Sequence, residues 1–200
     1  MKGSIIIVSF FVAGLLLSRF GIIPEGLIGP DHTRYALYFL MFLVGISIGS
    51  DRKVLDALKQ QNWRMITVPA GTIVGTLAGS AVIAFFIQDM KVSDSLAIGS
   101  GFGYYSLSSI FITQYRGAEL GTIALTTNII REIITLLFAP LMVKYFGKLA
   151  PISSGGATTM DTTLPIITRC SGKEYVVVAV FHGIVVDFTV PFLVTFFATL

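Results

Sequence analysis

The chain has 200 residues, 54% of them apolar and 12% charged, with a formal net charge of +3 and a mean hydropathy of +0.84. That hydropathy is far above the level of a soluble domain of this length and demands a lipid environment. A single cysteine, Cys170, and two histidines, His32 and His182, exclude an intramolecular disulfide and a Cys/His zinc cluster, and the modest basic excess reads as membrane topology with no nucleic-acid partner.

Five apolar runs are long enough to cross about 30 Å of hydrocarbon. They cover residues 4–23, 34–49, 65–88, 120–146 and 175–200. Lys2 ahead of the first run also fits a secretory signal, but "SRFGIIPEG" follows without a small-x-small cleavage site, so a retained span is expected. Gly45 with Gly49 on the second run, and Gly71, Gly75 and Gly79 on the third, form G-x-x-x-G repeats, which predict close helix packing. Residues 51–64 carry Arg52, Lys53, Lys59 and Arg64, the densest basic cluster. The positive-inside rule places that connection in the cytoplasm, with the N-terminus inside and the C-terminus outside.

Two further segments are apolar at their edges and polar or glycine-rich in their middles. Residues 95–114 contain "GSGFGYYSLSS", and residues 150–168 contain "SSGGATTMDTTLP". Re-entry of both from opposite sides fits the Lys/Arg distribution slightly better than full crossing. Opposite orientation around the long run at 120–146 predicts an inverted-repeat transporter, with non-helical backbone brought to the membrane midplane beside a polar ligand. The alternative, a pair of surface loops, would leave Ile98, Phe102, Leu107, Ile110, Phe111 and Ile112 in water. The expected fold is therefore an all-α polytopic membrane protein with about five full transmembrane helices and two discontinuous, re-entrant segments. It reads as a single transmembrane domain over residues 1–200, with scaffold helices at 1–90 and a motif-bearing core at 91–200.

A charge at the bilayer centre costs about 2.5–3.5 kcal/mol on insertion scales, so polar groups inside apolar runs mark candidate sites. In "TTNIIREIIT", Asn128 and Glu132 share one helical face, with Arg131 beside them and Thr135 a turn further. Ala124 and Ala139 extend that face with small residues and leave room for a ligand. The alternative is that Arg131 and Glu132 neutralise one another. Asp161 sits among Thr158, Thr159, Thr162 and Thr163; a break at Gly155 and Gly156 would start a half-helix there, and Pro165 suits the first turn of a helix starting just before it. A plain N-cap role for Asp161 remains compatible. In the last span, His182 and Asp187 point about 140° apart on a helix. Pro191 frees the Asp187 carbonyl, and His182 reads equally as a helix contact or a proton carrier.

These motifs, "GSGFGYYSLSS", "NIIREIIT", "GATTMDTTLP" and "VFHGIVVDFTVP" in that order, resemble the lysine exporter LysO family of bacterial inner-membrane proteins. The resemblance covers the second half of the chain. It implies export of L-lysine and its analogue thialysine in exchange for protons, with essential intramembrane acids at Glu132 and Asp161 and an auxiliary part for Asp187. Family members are longer, with additional spans before the matched region, so the chain is expected to be the larger, C-terminal part of a split exporter. A small companion membrane protein, or a second copy of the chain, would complete it in the lipid.

Lysine needs donors for its carboxylate and acceptors for its ammonium groups. Half-helix N-termini supply the former and Glu132 and Asp161 the latter. Tyr104, Tyr105, Ser106, Ser108, Ser109, Asn128, Arg131, Thr162, Thr163, His182 and Asp187 complete the candidate set. No cofactor or metal is expected; the coupling ion is a proton, with sodium the alternative. The rival readings are an organic-acid or other amino-acid transporter and an intramembrane protease. The protease lacks its sequence signatures, since "TTMD" is not a G-x-G-D setting and Ser154 stands outside a G-x-S-x motif.

Overall fold

The computed structural model describes residues 63–88 and 90–200, with a few single positions between residues 16 and 46. The expected first two spans, the Gly45/Gly49 repeat and the basic connection over 51–62 therefore lie outside the described residues, those single positions apart. The chain divides into two compact units, Met1–Ser50 and Asp51–Leu200. In the first, positions 16, 17, 19, 35, 39, 42 and 46 are helical. The second is helical with no strand among its described residues.

A 3-10 turn at Trp63–Ile66 leads into α1, Thr67–Ala84, whose Pro69 falls in the first turn, where a missing N–H breaks no helical bond. Two short helices follow, α2 at Val92–Gly99 and α3 at Tyr105–Arg116. The chain turns at Gly117 into α4, Ala118–Phe146, which has Glu119 in its first turn and Lys144 in its last, each matched to the helix dipole. After α4 come α5 at Ala150–Gly155, a 3-10 turn at Gly156–Met160, and α6 at Leu164–Ser171 with Pro165 in its first turn. A 3-10 turn at Lys173–Tyr175 opens into α7, Val176–Thr199.

Among the described residues, two helices are long and apolar enough to cross a membrane: Thr67–Ala84, with mean hydropathy 1.5, and the stretch Lys173–Thr199, with 2.1. α4 is longer at 29 residues, about 43 Å, but carries Arg131 and Glu132 near its middle. Large apolar side chains face outward along these helices, including Val74, Val82, Leu137, Phe188, Phe192 and Phe196. Water would not tolerate so continuous an apolar surface, whereas lipid matches it.

The two unusual segments each turn back on themselves. Asp94, in the first turn of α2, and Arg116, in the last turn of α3, form an ion pair at 3.4 Å. Arg116 Nε also donates to the Ala198 carbonyl at the end of α7, 2.8 Å away. The start and end of this hairpin therefore lie together, beside the C-terminal end of α7. The second hairpin is closed at the opposite end of the bundle, where Ser171 Oγ, after α6, donates to the Lys148 carbonyl, before α5, at 2.8 Å. Ile152, Ile167 and Ala179 pack there as a core with Val68 at the start of α1 against them. The two hairpins thus enter a shared bundle from opposite ends.

The glycine stripe on α1 faces no described residue. A side-chain carbon at Gly71, Gly75 or Gly79 would meet no described residue within 4 Å. α1 instead approaches the first hairpin through Ser80, which lies against Gly99 and accepts at its carbonyl from Ser95 Oγ at 2.7 Å.

Candidate functional site

The hairpins meet tip to tip beside the middle of α4. The Ala157 N–H donates to the Phe102 carbonyl at 2.9 Å, joining the two breaks directly. Gly156 has φ +63 and its missing side chain is what lets the Phe102 carbonyl come so close. Phe102, fully buried, is itself held at φ +44, a conformation that costs a non-glycine residue about 1–2 kcal/mol. Strain of this kind persists only where neighbours over-determine the backbone.

Asn128 and Arg131 supply that determination. Asn128 Oδ1 accepts from the Gly103 N–H at 2.7 Å, while Nδ2 donates to the Ala124 carbonyl at 2.9 Å. A buried amide thus replaces the helical partner that the first break removes. Arg131 Nε and Nη2 donate to the Ser154 and Ser153 carbonyls at 2.8 and 3.0 Å, and Nη1 reaches Thr76 Oγ1 at 3.4 Å. The guanidinium serves the orphan carbonyls and the negative end of α5. It does not pair with Glu132, so mutual neutralisation of those neighbours is not what the fold uses.

Threonines and His182 lock the second hairpin. Thr135 Oγ1 lies 2.7 Å from Ser154 Oγ, and Thr158 Oγ1 donates to the Gly155 carbonyl at 2.9 Å while standing 3.2 Å from Thr163 Oγ1. His182 is fully buried, with Nδ1 3.2 Å from Thr159 Oγ1 and Nε2 2.9 Å from Thr72 Oγ1. Thr159 donates to a carbonyl at 2.8 Å, so its lone pair accepts from Nδ1–H and Thr72 donates to Nε2. Both ring nitrogens are occupied, assigned from this network. Among the remaining candidates, Ser108 Oγ donates back to the Tyr104 carbonyl at 2.8 Å and Ser109 Oγ to the Ser106 carbonyl at 3.2 Å. Tyr105, Ser106 and Thr162 are exposed, and Thr163 is buried.

The acids separate into two environments. Asp161 is exposed, its Oδ1 accepting the Thr162 N–H, and its carbonyl accepts from the Leu164 N–H at the start of α6. Its charge therefore stands at a helix N-terminus, where the dipole favours it. Asp187 is 5% exposed on α7, one turn beyond Gly183, which packs against the backbone of Met160. Glu132 is half-buried on the α4 face that also carries Asn128 and Thr135, and no hydrogen bond or ion pair to another described residue engages it. Ala124 and Ala139 on that face are fully buried, so the face is filled by the hairpins. Open space lies on the adjacent side of α4, in a cavity of about 420 Å³ lined by α1, α2 and α4 residues that include Thr76, Ser80, Ile98, Ile123 and Thr127.

Sequence reading alone did not find Phe102, Thr72 and Thr76, or the Asp94–Arg116 pair. Their partners lie far along the chain, 110 residues apart for Thr72 and His182, and no local pattern marks them.

Two opposed broken hairpins crossing in an apolar helical bundle, with carboxylates at the crossing, are the build of a multi-pass membrane transporter, not of an enzyme. The family profile described as lysine exporter LysO matches residues 8–198. The chain belongs to the lysine exporter LysO family. It is 34% identical over 194 residues to the lysine exporter LysO of Escherichia coli (strain K12), a match covering 95% of this chain and 64% of that protein. It is 35% identical over 165 residues to a putative lysine exporter of Haemophilus influenzae, covering 82% of this chain and 83% of that one. The chain thus spans less than two thirds of the Escherichia coli relative. No solved structure matches it.

Proposed function

We propose that this chain exports L-lysine and thialysine-like analogues from the cytoplasm by exchange for protons, working in a bacterial inner membrane with its N-terminus inside and its C-terminus outside. The observation that carries the reading is the tip-to-tip crossing of the two hairpins beside Asn128 and Arg131, with Asp161 next to it. On this reading both hairpins are re-entrant and the family's two halves are inverted repeats. The N-terminus of α3 receives the substrate carboxylate, and Glu132 and Asp161 receive the ammonium groups. Family membership supports the substrate.

Energetics favour exchange. Moving a lysine cation out of an interior-negative cell costs about 2.3 kcal/mol per 100 mV, roughly a fifty-fold gradient. Proton-for-lysine exchange moves no net charge. A carboxylate that binds a proton or an ammonium, never both, enforces the exchange. A companion membrane protein or a second copy of the chain completes the assembly.

The test is lysine appearing outside cells that lack their own exporters, are loaded with a lysine-containing dipeptide, and express this chain with or without its genomic neighbours. Export is expected, abolished by Glu132→Gln and by Asp161→Asn with the protein still in the membrane. Retained export in both variants would overturn the site. Absence of export in every combination would turn the search to organic acids.

A further inference from the structure

We propose that Asp187 stores the coupling proton beside Asp161 and, unlike Asp161, takes no part in binding the amino acid. The proposal rests on the exporter reading above and assigns its ion site.

The geometry starts at Gly183. A side-chain carbon there would lie 2.7 Å from the Met160 nitrogen and 2.8 Å from its Cβ, so α7 touches the backbone of the second break with nothing between them. Asp187 is one turn further along the same face of α7, and Asp161 is the residue after Met160. The two carboxylates therefore flank one backbone contact. Asp187 is 5% exposed, and its carboxylate has no hydrogen bond or ion pair to another described residue. Pro191, one turn on, has no N–H, so the Asp187 carbonyl also lacks its helical donor. Asp187 thus carries both a carboxylate and a carbonyl without a partner among the described residues.

No cation among the described residues faces that carboxylate. Tyr104 comes from the break in the first hairpin and Asp161 from the second. On α7 itself, His182 has both ring nitrogens engaged by threonines. The described residues of α1 include no titratable group, α5 has none, and Asp94 on α2 is paired with Arg116 of α3 by Ala198, at the far end of α7. On α6, Arg169 is exposed and Cys170 is half-buried, both in its last turn. Arg131 on α4 is committed to the Ser153 and Ser154 carbonyls. A buried carboxylate with a second carboxylate near it is neutralised by a proton or by a cation from outside. Asp161, at the exposed edge, is the way in; Asp187, behind it, is the store. When lysine draws Asp161 into an ion pair, the stored proton leaves.

The experiment uses the full chain, with any companion it needs, in proteoliposomes. Lysine counterflow in the wild type tests the exporter reading. Asp187→Asn should keep counterflow within about threefold and lose at least about tenfold of transport driven by a pH gradient, while Asp187→Glu keeps both. Unchanged pH-driven transport in Asp187→Asn would overturn the proposal. So would loss of counterflow in a variant that melts like the wild type, which would make Asp187 a substrate ligand, or transport driven by a sodium gradient but not by a pH gradient. Two readouts remain if the variant does not fold or the wild type moves no lysine. Lysine added to weakly buffered wild-type protein should release protons, and no release would count against the store. The infrared band of a protonated carboxyl should be present in lysine-free wild type, shifted but kept in Asp187→Glu and lost in Asp187→Asn; its absence from the wild type refutes the stored proton without reference to any substrate.

Discussion

Replacing Gly156 by alanine should damage the protein more than the same change at Gly147, and the difference measures the hairpin crossing. Both glycines have positive φ, +63 and +89, with ψ of −129 and 173, conformations that cost a side chain of order 1–3 kcal/mol. At Gly147 nothing lies within 4 Å of the added carbon, so strain is the whole cost. At Gly156 the carbon runs into the Phe102 carbonyl, which accepts the Ala157 N–H at 2.9 Å. Moving that carbonyl leaves a buried donor and acceptor unpaired, a further cost of about 1–3 kcal/mol. Gly156→Ala should therefore be less stable than Gly147→Ala by about 1–3 kcal/mol, roughly a 5- to 150-fold lower ratio of folded to unfolded protein. Reversible unfolding in mixed micelles reads this directly, with both variants purified in parallel. Equal midpoints for the two would refute the tip-to-tip contact as a stabilising feature.

Other outcomes follow from the same network. Arg131→Lys keeps the charge but cannot span the Ser153 and Ser154 carbonyls as a planar fork does, so a loss of about 1.5–3 kcal/mol in unfolding is expected. Wild-type stability with weakened lysine binding would instead make Arg131 a substrate ligand. In a double-mutant cycle of Asp94→Asn and Arg116→Gln, the half-buried pair should couple by about 1 kcal/mol. Arg116→Gln should be the worse single change, because it also gives up the Ala198 carbonyl; zero coupling would mean the hairpin mouth is closed by something else.

Much of this architecture was legible before any coordinates. "GSGFGYYSLSS" and "SSGGATTMDTTLP" break apolar runs with glycine and hydroxyl residues, and helices do stop at Gly99 and Gly155 and resume at Tyr105 and Leu164. Local chemistry decides this, since the breaks depend on backbone freedom and on proline geometry at Pro165. The site was read less completely. Asn128 and Arg131 were recognised as polar groups out of place, but whether they serve a ligand or the backbone depends on which carbonyls and N–H groups lie opposite. Those belong to Gly103, Ser153 and Ser154, more than twenty residues away in sequence.

The glycine stripe of α1 makes the same point from the other side. Its spacing is the signature of a packing face, yet among the described residues the close approach of α1 is made by Ser80 against Gly99. By itself, the sequence determined a lipid-embedded helical chain, the two places where its helices break, and the acids that stand near them, because hydropathy, turn chemistry and the cost of intramembrane charge are local properties. Only the tertiary structure decided that the breaks meet, that Arg131 and His182 are consumed in holding them, and that α7 packs at Gly183 against the residue before Asp161. Pairings between distant segments follow from how the whole bundle packs, and no short stretch of residues encodes them.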